Sequence, residues 1–82
     1  MKLKYFAWVR ERIGVAEEDV DLPPDVSTTG ALLDWLRARG DGYALALDTG
    51  AIRVAVDQVH VQGDAPLGDA REVALFPPMT GG

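Results

Sequence analysis

Apolar residues recur at every second position from Leu3 through Tyr5 and Ala7 to Val9, with Lys2, Lys4, Phe6 and Trp8 between them. A period of two predicts a strand over residues 2–9 with two unlike faces. Arg10 to Gly14 reads as a turn or a single helical turn. Glu17 to Leu22 reads as a second strand with Val20 and Leu22 facing in, close enough to the first to form an antiparallel hairpin. Pro23-Pro24 ends it. Ser27 or Thr28 can N-cap a helix. In that helix Leu32 and Leu36, at i and i+4 and flanked by Leu33 and Trp35, form an apolar stripe, and Gly40 is placed for the C-cap. Tyr43 to Gly50 is ambiguous between a short helical turn and a covered loop. Ile52, Val54 and Val56 alternate with Arg53, Ala55 and Asp57 as a third strand, and Val59 to Val61 reads as a short fourth. A turn-rich stretch, Asp64 to Ala70, leads to a last strand over Arg71 to Phe76.

This order predicts an α+β fold, with one main helix on one face of a mixed four- or five-stranded sheet. The most apolar runs, the first and last strands, belong in the middle as parallel neighbours. The helix then covers Leu3, Tyr5, Val54, Val56, Val73 and Leu75. Phe6, Trp8, Ala74 and Phe76 fall on the other face, which has no helix left to cover it. Either Tyr43 to Leu47 folds over that face, or it is a partner surface.

Composition narrows the chemistry. At 82 residues the chain makes one small domain with a thin core. It has no cysteine, which excludes disulfides, zinc–thiolate sites and side-chain thiol catalysis. A net charge of −5 argues against nucleic acid as partner and favours a partner with a basic surface or groove. No apolar stretch suits a signal sequence or a membrane span, so a cytoplasmic location is expected. His60 is the only histidine. It cannot build a metal site or a triad, and is read as an interface or solvated residue. Glu17, Glu18, Asp19 and Asp21 read as a solvated acidic edge. Arg10-Glu11-Arg12 could grip a phosphate or a partner carboxylate. No glycine-rich phosphate loop is present.

The most telling segment is Phe76-Pro77-Pro78-Met79-Thr80-Gly81-Gly82. Two prolines cannot continue a sheet ladder, so residues 77–82 are expected to leave a domain formed by residues 1–76 as an extended tail. From Pro78 to Gly82 such a tail spans roughly 15 Å. Gly81 and Gly82, without side chains, can thread a narrow channel. No side-chain set supports autonomous catalysis, which leaves the carboxylate of Gly82 as the reacting group. Hydroxide is a poor leaving group, so the carboxylate needs activation as an anhydride with a nucleotide phosphate. It could then take sulfur or an amine.

The block from Asp64 to Gly82 resembles the small subunits of molybdopterin synthase, a ubiquitin-like sulfur-carrier family. So do Lys4-Tyr5-Phe6-Ala7 with Val9-Arg10-Glu11, and Val54-Ala55-Val56-Asp57-Gln58. The match spans essentially the whole chain. Its most specific part is the final Phe-Pro-Pro-x-x-Gly-Gly. Asp57 stands where asparagine is common, and Met79 where a small or β-branched residue is usual. The resemblance implies a β-grasp fold and a sulfur carrier. An activating enzyme of the ubiquitin-activating type would adenylate Gly82 with ATP, and a sulfur donor protein would convert it to a thiocarboxylate. The large synthase subunit, in a heterotetramer, would take up the tail and pass sulfur to cyclic pyranopterin monophosphate. The chain itself would bind no cofactor or metal. Phe6, Trp8, His60, Phe76, Pro77, Pro78, Met79 and Thr80 would form the partner interface, and Gly81-Gly82 the reacting end. The alternatives are a carrier for thiamine, cysteine or tRNA thiolation, a modifier joined to lysines, and a binding domain with a passive tail.

Overall fold

The computed structural model describes residues 1–48 and 52–78. The elements run β1 (Lys2–Tyr5), α1 (Ala7–Ile13), β2 (Glu17–Asp19), α2 (Thr29–Arg37), α3 (Asp41–Leu47), β3 (Arg53–Val56), β4 (Val59–Val61) and β5 (Glu72–Phe76). The five strands form one sheet in the order β2-β1-β5-β3-β4. β1 and β5 are parallel central neighbours with Leu3 opposite Val73 and Tyr5 opposite Leu75, while the other pairings are antiparallel. The antiparallel pairing of the first two strands, the central parallel pair and the single main sheet match the expectation from pattern, although α1 stands between β1 and β2 in place of a tight turn and β2 ends at Asp19, short of Leu22.

One face of the sheet carries the core. Leu3, Tyr5, Val54, Val73 and Leu75 pack there against Val9 of α1, Leu32 and Leu36 of α2, and Ala46 and Leu47 of α3. Val56 is only half-buried against this cluster. The Thr28 hydroxyl N-caps α2 by accepting from the Ala31 amide, as capping chemistry predicts. The next residue, Thr29, is buried; its hydroxyl donates to the Gly63 carbonyl and accepts from the Ala65 amide. This pair ties the start of α2 to the β4–β5 connection. The β3–β4 hairpin turns through Asp57 and Gln58, both at positive φ, as a two-residue primed turn requires. Asp57 Oδ1 accepts from the Arg71 and Glu72 amides and locks that turn to the start of β5.

Three readings need correction. The first strand stops at Tyr5, and residues 7–13 form α1 instead of continuing the strand to Val9. β2 is only three residues long, so a longer β1 would find no ladder on that side. Val9 and Ile13 are spaced by four as well as lying on the alternating pattern, and the helix buries Val9 completely. Gly14, in the left-handed region, closes α1. Second, α2 ends at Ala38, and Gly40 precedes α3 rather than capping α2. The ambiguous segment is therefore helical from Asp41, and it packs on the core side, not over the open face. Gly42 permits this: a Cβ there would lie 2.7 Å from the Arg12 carbonyl oxygen at the end of α1. The one main helix is thus joined by two seven-residue helices on the same side.

Third, Glu18 is not a solvated edge residue. Alternation puts it on the side of Val20, where its carboxylate accepts from the Tyr5 and Tyr43 hydroxyls, each at 2.7 Å, and from Arg39 Nη1 at 3.1 Å. The Arg39 guanidinium also lies over the rings of Trp35 and Tyr43. Burial works to raise the Glu18 pKa, but the hydrogen bonds from Tyr43 and Tyr5 and the Arg39 charge outweigh it and hold the carboxyl below its ordinary value. Burial first, and then the bond to Glu18, push both phenols upward, Tyr5 far above the ordinary phenol range.

The core and this network each generate a prediction. Leu36 is fully buried, so Leu36→Ala should cost about 2–5 kcal/mol in chemical denaturation. A lowered carboxyl pKa stabilises the fold above the unfolded value near 4.3 and is lost as pH falls through the folded value. A raised phenol pKa stabilises the fold below about pH 10 and is lost as pH rises through the folded value. Stability should therefore fall at both ends. Urea midpoints against pH should show a flatter acid limb for Glu18→Gln and a flatter alkaline limb for Tyr5→Phe. Limbs identical to those of the unsubstituted protein would assign the pH dependence elsewhere.

Candidate functional site at the end of the central strand

β5 alternates strictly. Val73 and Leu75 are buried in the core, while Glu72, Ala74 and Phe76 face the other way. Its neighbours continue that second face. Lys2 and Lys4 lie beside Glu72 and Ala74 on one side, and Ala55 and Arg53 beside Ala74 and Phe76 on the other. His60 of β4 lies beyond Ala55. All three helices contribute to the core cluster, so this face carries no helix among the described residues.

The open face has a definite layout. Ala74 and Ala55 make a floor of small side chains at its centre. Phe76 is half-buried and packs against His60, with ring centroids 5.1 Å apart. Lys4 pairs with Glu72 at 3.2 Å and Lys2 with Glu17 at 3.4 Å, so most charge near the centre and far end is matched. Phe6 remains at this face: its backbone is extended, its amide donates to the Leu75 carbonyl, and it is 46% exposed. It stands one step beyond the Tyr5–Leu75 pair, level with Phe76.

The interface residues read from the sequence divide accordingly. Phe6, His60 and Phe76 share the open face, and Pro77 and Pro78 follow directly, half-buried and outside regular structure. Trp8 does not belong with them. It lies on α1, half-buried against the core cluster, with the Arg12 guanidinium 4.5 Å over its ring. The helix that replaces the end of the first strand removed it from the sheet. Met79, Thr80, Gly81 and Gly82 lie outside the described residues. Ala74 was placed on this face from the sequence; Arg53 and Ala55 were not singled out, although cross-strand alternation from Phe76 and His60 points to them. Among the described residues no group of three or more histidine, cysteine, aspartate or glutamate side chains could hold a metal ion. No helix among them is long and apolar enough to cross a membrane.

A five-stranded mixed sheet with a central parallel pair, helices on one face and a chain end leaving the central strand is the ubiquitin-like β-grasp architecture. The chain matches the ThiS family over residues 3–82 and belongs to it. It is 43% identical over 82 residues to the molybdopterin synthase sulfur carrier subunit of Escherichia coli, spanning all of this chain and 99% of that one. The Haemophilus influenzae protein of the same name is 37% identical, also over 82 residues and the same shares of each chain. Among solved structures, a Pyrococcus furiosus protein provisionally titled molybdopterin converting factor subunit 1 superposes with a TM-score of 0.74. That pair shares 27% identity over 95% of each chain.

Proposed function

We propose that this chain is the sulfur-carrier subunit of a molybdopterin synthase. The observation that carries the reading is its identity, over its whole length, to proteins bearing that name. The open face and the position of Phe76 support it, because they supply a docking surface continuous with the start of the tail. The chemistry follows from the carboxylate of Gly82. That oxygen attacks the α-phosphorus of ATP on an activating enzyme, and pyrophosphate leaves. The terminal sulfur of a donor persulfide then attacks the acyl carbon and AMP leaves; a thiol attacks the donor-side sulfur of the resulting acyl disulfide, forms a disulfide with the donor and releases the thiocarboxylate. Residues 77–82 enter the large subunit, which holds cyclic pyranopterin monophosphate, and the sulfur passes to it. The pterin-binding side chains belong to that subunit, and the cytoplasm is the compartment in which these partners meet.

The test is the intact mass after incubation with ATP, an activating enzyme and a sulfur source. A gain equal to one oxygen replaced by sulfur, localised to Gly82, is expected. Covalent joining to lysines of other proteins instead would assign a modifier. Deleting Gly82 should leave folding and partner binding nearly unchanged while abolishing product formation with purified large subunit. The reacting carbon would sit roughly 3.5 Å from its place, and a shift of about 1 Å already costs on the order of a hundredfold in rate. Normal synthesis by the shortened chain would remove the carboxylate from the mechanism. Phe76→Ala should weaken association with the large subunit by about 2 kcal/mol, as loss of an aromatic anchor does, with an unchanged circular dichroism spectrum. Calorimetry of the complex reads this directly.

A further inference from the structure

Charge on the open face is sorted along the strands. The far end, where β5 begins, carries Asp19, Lys2, Glu72 and Asp57 as one cross-strand row. The end where β5 finishes carries none of these acids. There Phe6, one residue past the Tyr5–Leu75 pair, is level with Phe76, and Arg53 stands directly across from Phe76. Arg10 lies one helical turn beyond Phe6, its amide donating to the Phe6 carbonyl. It lines with Phe6, Lys4 and Glu17 a shallow hollow of about 230 Å³. Arg10 and Arg53 are both exposed, and neither makes an ion pair among the described residues. Of the acids that line the two hollows with them, Glu17 pairs with Lys2, and Asp64, which borders a second hollow with Arg53, accepts from the Gly30 amide; Glu11, next to Arg10 on α1, is exposed. The chain as a whole carries −5, yet the end of β5 has Arg53 directly across from it and Arg10 beyond Phe6, both without an ion pair among the described residues.

We infer that Arg10 and Arg53 form a cationic rim that docks onto acidic side chains around the mouth of the channel that receives the tail. This rests on the proposed carrier function and gives its partner surface a sign, opposite to that suggested by net charge. An arginine fork matches a carboxylate in two-point geometry, and rim charges act mainly on encounter rate and register. The two cations straddle the aromatic pair, so a partner that engages both fixes the rotation of the domain about the tail axis. Single-sign neutralisation of the net charge does not achieve this. At physiological salt the screening length is about 8 Å. The distance from Arg71, beside the far row, to Phe76 is roughly 17 Å of strand, so the acidic end is screened from the exit.

The test is stopped-flow and equilibrium binding to purified large subunit from the same organism. The probes are Arg10→Glu with Arg53→Glu, singly and together, and Arg71→Glu as a control that changes net charge at the far end as much as each single reversal does. Thermal melts confirm that each variant is folded. The double reversal should slow association about tenfold or more at low ionic strength, and the gap should close near 1 M salt, where screening reaches about 3 Å. Arg71→Glu should stay near the unsubstituted rate. Reversals at Arg10 and Arg53 that speed association, as a basic partner surface requires, would overturn the inference. So would an effect no larger than that of Arg71→Glu, and both results would leave the carrier reading intact. Failure of the unsubstituted chain to bind would remove both.

Discussion

The parallel pairing of β1 with β5 is the constraint on which the rest of the structure depends. Leu3, Tyr5, Val73 and Leu75 are all essentially inaccessible and lie in register across that pair. Parallel neighbours need a long crossover, and here the crossover is nearly the whole protein: β2, α2, α3, β3 and β4 all lie between the two strands in sequence. The pairing also sets the direction in which the chain finishes. β5 ends level with the end of β1 and the start of β3, in the middle of the sheet instead of at an edge. A slip of one residue would send Phe76 into the core and Val73 and Leu75 into solvent. The exposure of Phe76 is therefore a consequence of the burial of its neighbours.

Strand alternation then gives one ribbon two tasks. The inward residues of β5 bind the sheet to the helices, and the outward ones build the surface beside the tail. Ala55 shows how closely that surface is packed: it lies outside the core cluster yet is 7% exposed, because Phe76, His60 and Ala74 surround it. Small side chains at the centre let Phe76 and His60 lie close over the sheet, with ring centroids 5.1 Å apart. Changes on the open face can therefore alter partner binding while leaving the core packing untouched.

Much of this was legible in the sequence because period-two runs and a capped amphipathic helix are local signals. The strands, the start of α2 and the central placement of β1 and β5 follow from them. What was not legible depends on long-range partners. Whether residues 7–9 continue a strand was decided by the length of β2, and whether residues 41–47 are a helix by Gly42 fitting against the end of α1. Glu18 looked solvated because its three partners, Tyr5, Tyr43 and Arg39, are far from it in sequence. At the candidate site, Phe76, His60 and Phe6 were accessible to reasoning from alternation. Trp8 was misplaced by the same alternation, extended past the point where the ladder stops.

Net charge does not say where on the surface a charged partner would approach. A sum over the chain weights every charge equally, whereas a partner feels those within about one screening length of the contact. Of the acids on this protein, Glu72, Glu17, Glu18, Asp34 and Asp48 are already paired with cations, and Asp57 and Asp64 bind backbone amides. Those acids are held by partners inside the domain, Asp34 and Asp48 by the same Arg37, so their placement is fixed although their charge still counts. Near the end of β5, Arg10 and Arg53 are exposed and make no ion pair among the described residues. In the carrier role proposed above, where the chain end enters another protein, the sign of the field at that exit would govern approach more than the sign of the whole.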